Sequence, residues 1–143
     1  MSKYLIVNGS VYFGDESAEV KAQKLESLLN KVNEEFCMSD SELDAEPTDD
    51  VNVFDLHGHG DVSTSLEESD FLKKVCKELG IFAVFRLSGD DYNPETFIWC
   101  GPDEEKAKDL MRREVVEFYI SKISYEGEFD TYNEAVNYMQ SIY

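Results

Sequence analysis

The chain has 143 residues with 31 acids against 13 bases, a formal net charge of −18 and a pI near 4.3. A hydrophobic share of 42% with 13% aromatics excludes a disordered acidic tail, and no apolar run approaches the roughly 18 residues of a membrane span. The sign of the charge sets nucleic acid and anionic lipid aside as direct partners.

Residues 4–7 and 10–13 flank Asn8-Gly9, a pair that accepts the positive φ angles of a type I′ turn, so a hairpin is expected there. Gly14 and Asp15 end it. Ala18, Ala22, Leu25, Leu29, Val32 and Phe36 follow at alternating spacings of 4 and 3, which predicts one apolar stripe of a helix. Residues 37–50 hold six acids, no base and Pro47, a third of the whole net charge, and are expected to be an acidic loop. A strand is predicted over 51–56 and a glycine-containing loop over 57–64.

Ser65 and Glu68 form a capping-box pattern ahead of a helix lined by Leu72, Val75, Cys76 and Leu79, with Gly80 just past its end. Residues 81–87 are nearly all apolar and predict a central strand, turned at Gly89-Asp90-Asp91 and Asn93-Pro94 into a returning strand over 96–100. Pro102 suits the first position of a helix whose N-terminus carries Asp103, Glu104 and Glu105, with Ala107, Leu110 and Met111 as its buried side. Residues 116–125 are rich in β-branched and aromatic side chains and predict a long strand. Thr131 and Glu134 then cap a last helix lined by Ala135, Met139 and Ile142.

The expected fold is α+β, a mainly antiparallel sheet with helices packed on it. It reads as ββα, then a ferredoxin-like βαββαβ order and a C-terminal helix. One domain is expected over 1–143, made of a hairpin plus helix (1–36), the acidic loop (37–50) and a βαββαβα part (51–143). Residues 1–10 do not read as a signal peptide, and Cys37, Cys76 and Cys100 read as reduced thiols, so a cytoplasmic protein is expected.

Both histidines of the chain lie in Asp55-Leu56-His57-Gly58-His59-Gly60-Asp61. His57, His59 and Asp61 are the only weak metal candidates, because two imidazoles and a carboxylate suit zinc. The string resembles the HxHxD part of metallo-β-lactamase-fold hydrolases over five residues. That family places a further His where this chain has Val62, and draws on later histidines that this chain lacks. A twin-histidine phosphodiesterase fails for want of a second motif.

The alternating acids of the 37–50 segment lack the central glycine and closing Glu of an EF-hand loop. Cys76 and Cys100 read as buried residues, and Cys37 lies beside acids that disfavour a thiolate. Phe82, Phe85, Phe97 and Trp99 cannot all share one face, and Arg86 is the only base among them, so packing explains these rings better than stacking on nucleic acid. No catalytic residue, metal or cofactor is therefore expected, and the chain reads as a non-enzyme.

What remains is the charge, well beyond the 2–8 units that solubility of a small domain needs. Excess charge of one sign predicts partners of the other. The partner expected is a basic nucleic-acid-binding protein, such as a nuclease or effector complex, inhibited by carboxylates that imitate phosphates. In its size, acidity and reduced cysteines the chain resembles phage-encoded anti-defence inhibitors, including anti-CRISPR and anti-restriction proteins. The candidate contacts are Asp40, Glu42, Asp44, Asp49 and Asp50 first, Asp90, Asp91 and Glu95 second, and Asp103, Glu104 and Glu105 third. The alternatives are a small housekeeping or oligomeric α+β protein without mimicry, and a metal-dependent hydrolase using residues 57–61.

Overall fold

A computed structural model describes residues 3–62 and 67–126. Five strands, β1 (Lys3–Tyr12), β2 (Ser41–Pro47), β3 (Val53–Val62), β4 (Phe82–Gly89) and β5 (Tyr92–Cys100), form one sheet in the order β2-β3-β1-β4-β5. Every neighbouring pair is antiparallel. Among the described residues, three helices, α1 (Ala18–Phe36), α2 (Glu68–Leu79) and α3 (Glu104–Glu126), join the sheet in an α+β architecture. None of the described helices is long and apolar enough to cross a membrane.

Strand alternation divides the sheet into two faces. Leu5, Val7 and Val11 of β1, Leu56 and Val62 of β3, and Ala83, Phe85 and Leu87 of β4 point to one side, where Leu28, Val32 and Phe36 of α1 and Leu72, Val75 and Cys76 of α2 cover them. On the other side Val84 and Phe97 pack against Met111, Val115 and Tyr119 of α3. That helix packs on β4 and β5 and touches β1 at Tyr12, so among the described residues no element covers the second face of β3 and the rest of β1.

The stripe expected of α1 is displaced. Leu28, Val32 and Phe36 are buried, Leu25 and Leu29 pack partly, and Ala18 and Ala22 are exposed, so the buried stripe belongs to the second half of the helix. The α2 stripe and its Gly80 stop, at φ +68°, are as expected, but the cap is Glu67, whose carboxylate accepts from the Asp70 N–H. Ser65 lies outside the described residues, as do Thr131, Glu134 and the last helix. Glu68 is not a cap partner. Its buried carboxylate lies 2.5 Å from Lys3 Nζ and accepts from Tyr92 Oη, tying α2 to two strand ends.

Four expectations are overturned. Asn8-Gly9 is not a turn: β1 runs straight through it, with Asn8 opposite both His57 and Arg86. Residues 41–47 are an edge strand rather than loop, and residues 57–62 continue β3. Residues 116–125 belong to α3, since Val115 and Tyr119 recur at helical spacing on its buried side. With no strand there, the βαββαβ order does not run over residues 51–125; the described residues run β-α-β-β-α-β-β-α, so that order of elements falls on β1 to β4 instead, with β5 and α3 after it. Two smaller shifts accompany these. Asn93 and Pro94 lie in β5, and α3 begins after Pro102 with Asp103 Oδ1 accepting from the Lys106 N–H.

These packed tyrosines make stability fall in alkali. Burial, and then the Glu68 charge, push Tyr92 from 10.0 up to about 12. Burial and a hydrogen bond to Glu114 raise Tyr12, and hydrogen bonds to Asp91 and Glu68 raise Lys3. The unfolded chain releases these tyrosine protons near pH 10, and the folded protein keeps them longer. The folded state then binds more protons, so stability declines as pH rises. The contribution is complete below about pH 10 and is lost toward about pH 12. Urea midpoints measured by circular dichroism should hold steady to about pH 9 and then drop, with a shallower drop in Tyr92→Phe.

Candidate interaction surface

The open half-face is built from the outward residues of β1, β2 and β3. The register places Asp44 beside His57, and His57 beside Asn8. One step along, Glu46 lies beside Asp55, and Asp55 beside Ser10. Asp61 stands opposite Tyr4 at the far end. Asp44, Glu46, Asp55 and Asp61 are all exposed. Alternate residues of a strand are roughly 6.6 Å apart, about twice the 3.4 Å axial rise per phosphate of one DNA strand.

β2 has its place because of Asn33 on α1. The Asn33 side-chain amide donates to Leu43 O at 2.9 Å and accepts from Leu43 N at 2.7 Å, holding the backbone where the register shifts between Ser41 and Asp44. Leu43 is buried, and its alternation with Asp44, Ala45 and Glu46 is the period-two signal within the acidic segment. The glycines of the histidine string serve the same crossing. A Cβ on Gly58 would stand 2.8 Å from Leu43 Cα, so glycine lets the 38–43 segment pass over the inner side of β3 while the histidines face outward.

His57 and His59 share that outer face, with ring centroids 5.6 Å apart. They take separate partners: His57 Nδ1 pairs with Asn8 Oδ1 at 3.2 Å, and His59 Nδ1 with Tyr4 Oη at 2.8 Å. Tyr4 Oη donates in turn to Asp40. The described residues contain no group of three His, Cys, Asp or Glu side chains placed to hold a metal ion. The string is strand alternation, and His57, His59 and Asp61 do not converge on one point.

Between this face and α3 runs a cleft of about 480 Å³, with Asn8, Ser10, Asp55 and His57 on one wall and Glu114, Glu117 and Phe118 on the other. Arg86 lies in its floor, 4.2 Å from the Phe118 ring centroid, with its pKa lowered by burial and partly restored by Glu95 and Glu114. Tyr12 Oη donates to Glu114 at the cleft's end.

The other nominated acids divide. Asp40 binds Tyr4, and Asp50 accepts from the Asn52 N–H in a tight turn, while Glu42 and Asp49 are exposed. Asp90 accepts from the Tyr4 N–H at 2.8 Å, and Asp91 pairs with Lys3 at 2.8 Å. Glu95 lies on β5, half-buried. Asp103 caps α3, Glu104 pairs with Lys108 at 2.8 Å, and Glu105 is exposed. The second and third patches are therefore largely engaged within the fold. Sequence reasoning missed Glu46, Asp55, Glu114 and Glu117, because they join the face only through strand register and the covering helix.

Comparisons of the chain with protein-family models, with curated proteins and with solved structures return no match.

Proposed function

We propose that this protein is an acidic interaction protein that inhibits a basic nucleic-acid-binding partner by taking the place of nucleic acid. The observation that carries the reading is the open half-face, where Asp44, Glu46, Asp55 and Asp61 stand in strand register and α3 adds Glu114 and Glu117. A sheet supplies such an array without ordering flexible chain, which keeps the entropic cost of binding low. Many weak charge pairs and electrostatic steering then supply affinity, so binding falls with salt.

A nuclease or effector complex, of the kind that anti-defence inhibitors block, has the basic groove this face fits. Its duplex and this chain would compete for one surface. The partner retrieved from lysate at low salt should bind either this chain or a DNA duplex, never both. A ternary complex on gel filtration, or a partner without a basic nucleic-acid site, would contradict the reading.

A further inference from the structure

Opposite in character to the acidic face is a cavity of about 390 Å³ between α2 and the start of α3, lined by Lys73, Lys74, Lys77, Trp99, Gly101, Pro102 and Glu104. Acids outnumber bases 31 to 13 in this chain, yet among the described residues no carboxylate lies within 4 Å of the Lys73, Lys74 or Lys77 ammonium groups. Lys74 and Lys77 are exposed and Lys73 is half-buried, with its Nζ 4.2 Å from the Trp99 ring centroid. Lys108, on the α3 side, stands 5.7 Å from the same centroid and pairs with Glu104. Two cations thus stand at one indole, with Lys74 and Lys77 beside them in the cavity lining and Glu104 as the lining carboxylate.

We propose that this cavity binds a small phosphate-bearing ligand with a flat aromatic ring, of the nucleoside monophosphate class. The lysines are mobile point charges suited to a phosphate group. The half-buried indole of Trp99 offers a ring face of the kind on which bases stack in single-strand binders. A ring stacked there takes the place of the Lys73 ammonium and frees it for the phosphate. The volume falls within the ordinary range of small-molecule sites. A long polyanion is excluded, because the −18 charge of the whole chain repels it while a single phosphate meets chiefly the local lysines.

Trp99 is the only tryptophan, so its fluorescence reports on this cavity directly. Titration of the full chain with adenosine monophosphate should change the emission saturably, with a Kd of about 0.1–1 mM. Lys73→Gln/Lys77→Gln should weaken that binding about tenfold or more, while its circular-dichroism spectrum and urea midpoint match the parent's, showing the fold intact. Adenosine alone and inorganic phosphate alone should each bind more weakly. No saturable change with the monophosphate, or an equal Kd in the double variant, would overturn the proposal. Adenosine binding as tightly as the monophosphate would also overturn it, because the lysines would then hold no phosphate. Phosphate binding as tightly would do so too, because the indole would then hold no ring.

Discussion

Asn8→Pro is expected to take away a large part of the protein's stability and to lower its urea midpoint sharply. β1 is the middle strand of five and pairs on both edges, so Asn8 sits in the ladder opposite both His57 and Arg86. Proline removes the backbone N–H and cannot sit in an interior strand without breaking pairing. The cost is about 3 kcal/mol or more, against a total stability of about 5–15 kcal/mol for a domain. The neighbouring position is equally restricted, since a Cβ on Gly9 would stand 2.5 Å from the Val84 carbonyl oxygen. Gly9→Ala is therefore expected to cost about 1–3 kcal/mol by overpacking. Asn8→Gly separates strand from turn. In a type I′ turn glycine is as good as asparagine, whereas in a strand it loses about 0.5–1 kcal/mol of backbone entropy. Urea denaturation followed by circular dichroism checks all three, and a neutral Asn8→Gly beside an Asn8→Pro with the parent's midpoint would contradict the central strand.

The same dipeptide shows what local sequence can and cannot say. Asn-Gly announces a hairpin only when the flanking segments pair with each other. Here Leu5 and Val7 continue in phase through Gly9 to Val11, all on the inner face, and the long-range partners Phe85 and Leu56 decide the conformation. α1 and α2 were legible because an apolar stripe at helical spacing is local information. The 116–125 segment was not, because its local propensity favours a strand, whereas Phe118 and Tyr119 join the Val84 and Phe97 cluster from a helix. β2 was hidden by its acids, which tolerate an edge strand and protect it from pairing with other chains. The acidic segment itself was visible as charge. Its partners Asp55, Glu114 and Glu117 emerge only when register and helix are known.

The face rather than the total charge carries the proposed activity, and that distinction gives the second large effect. Asp44, Glu46, Asp55 and Asp61 are exposed, so Asp44→Asn/Glu46→Gln/Asp55→Asn/Asp61→Asn keeps shape and hydrogen-bonding atoms while removing four charges. Exposed charge pairs contribute about 0.5 kcal/mol each, so the four together should weaken partner binding by about 2 kcal/mol, or about thirtyfold, at low salt. A control with equal loss of net charge elsewhere is Glu19→Gln/Glu26→Gln/Glu34→Gln/Glu78→Gln, at four exposed helix positions. Single substitutions fall within the scatter of rim contacts, so the set must be changed together.

The most direct measurement is the affinity of parent, face variant and helix control for the retrieved partner across a salt series. The account predicts a steep decline with salt for the parent and the control, and a weaker, flatter dependence for the face variant. A face variant that binds as tightly as the parent at every salt concentration, or one no weaker than the helix control, would contradict it.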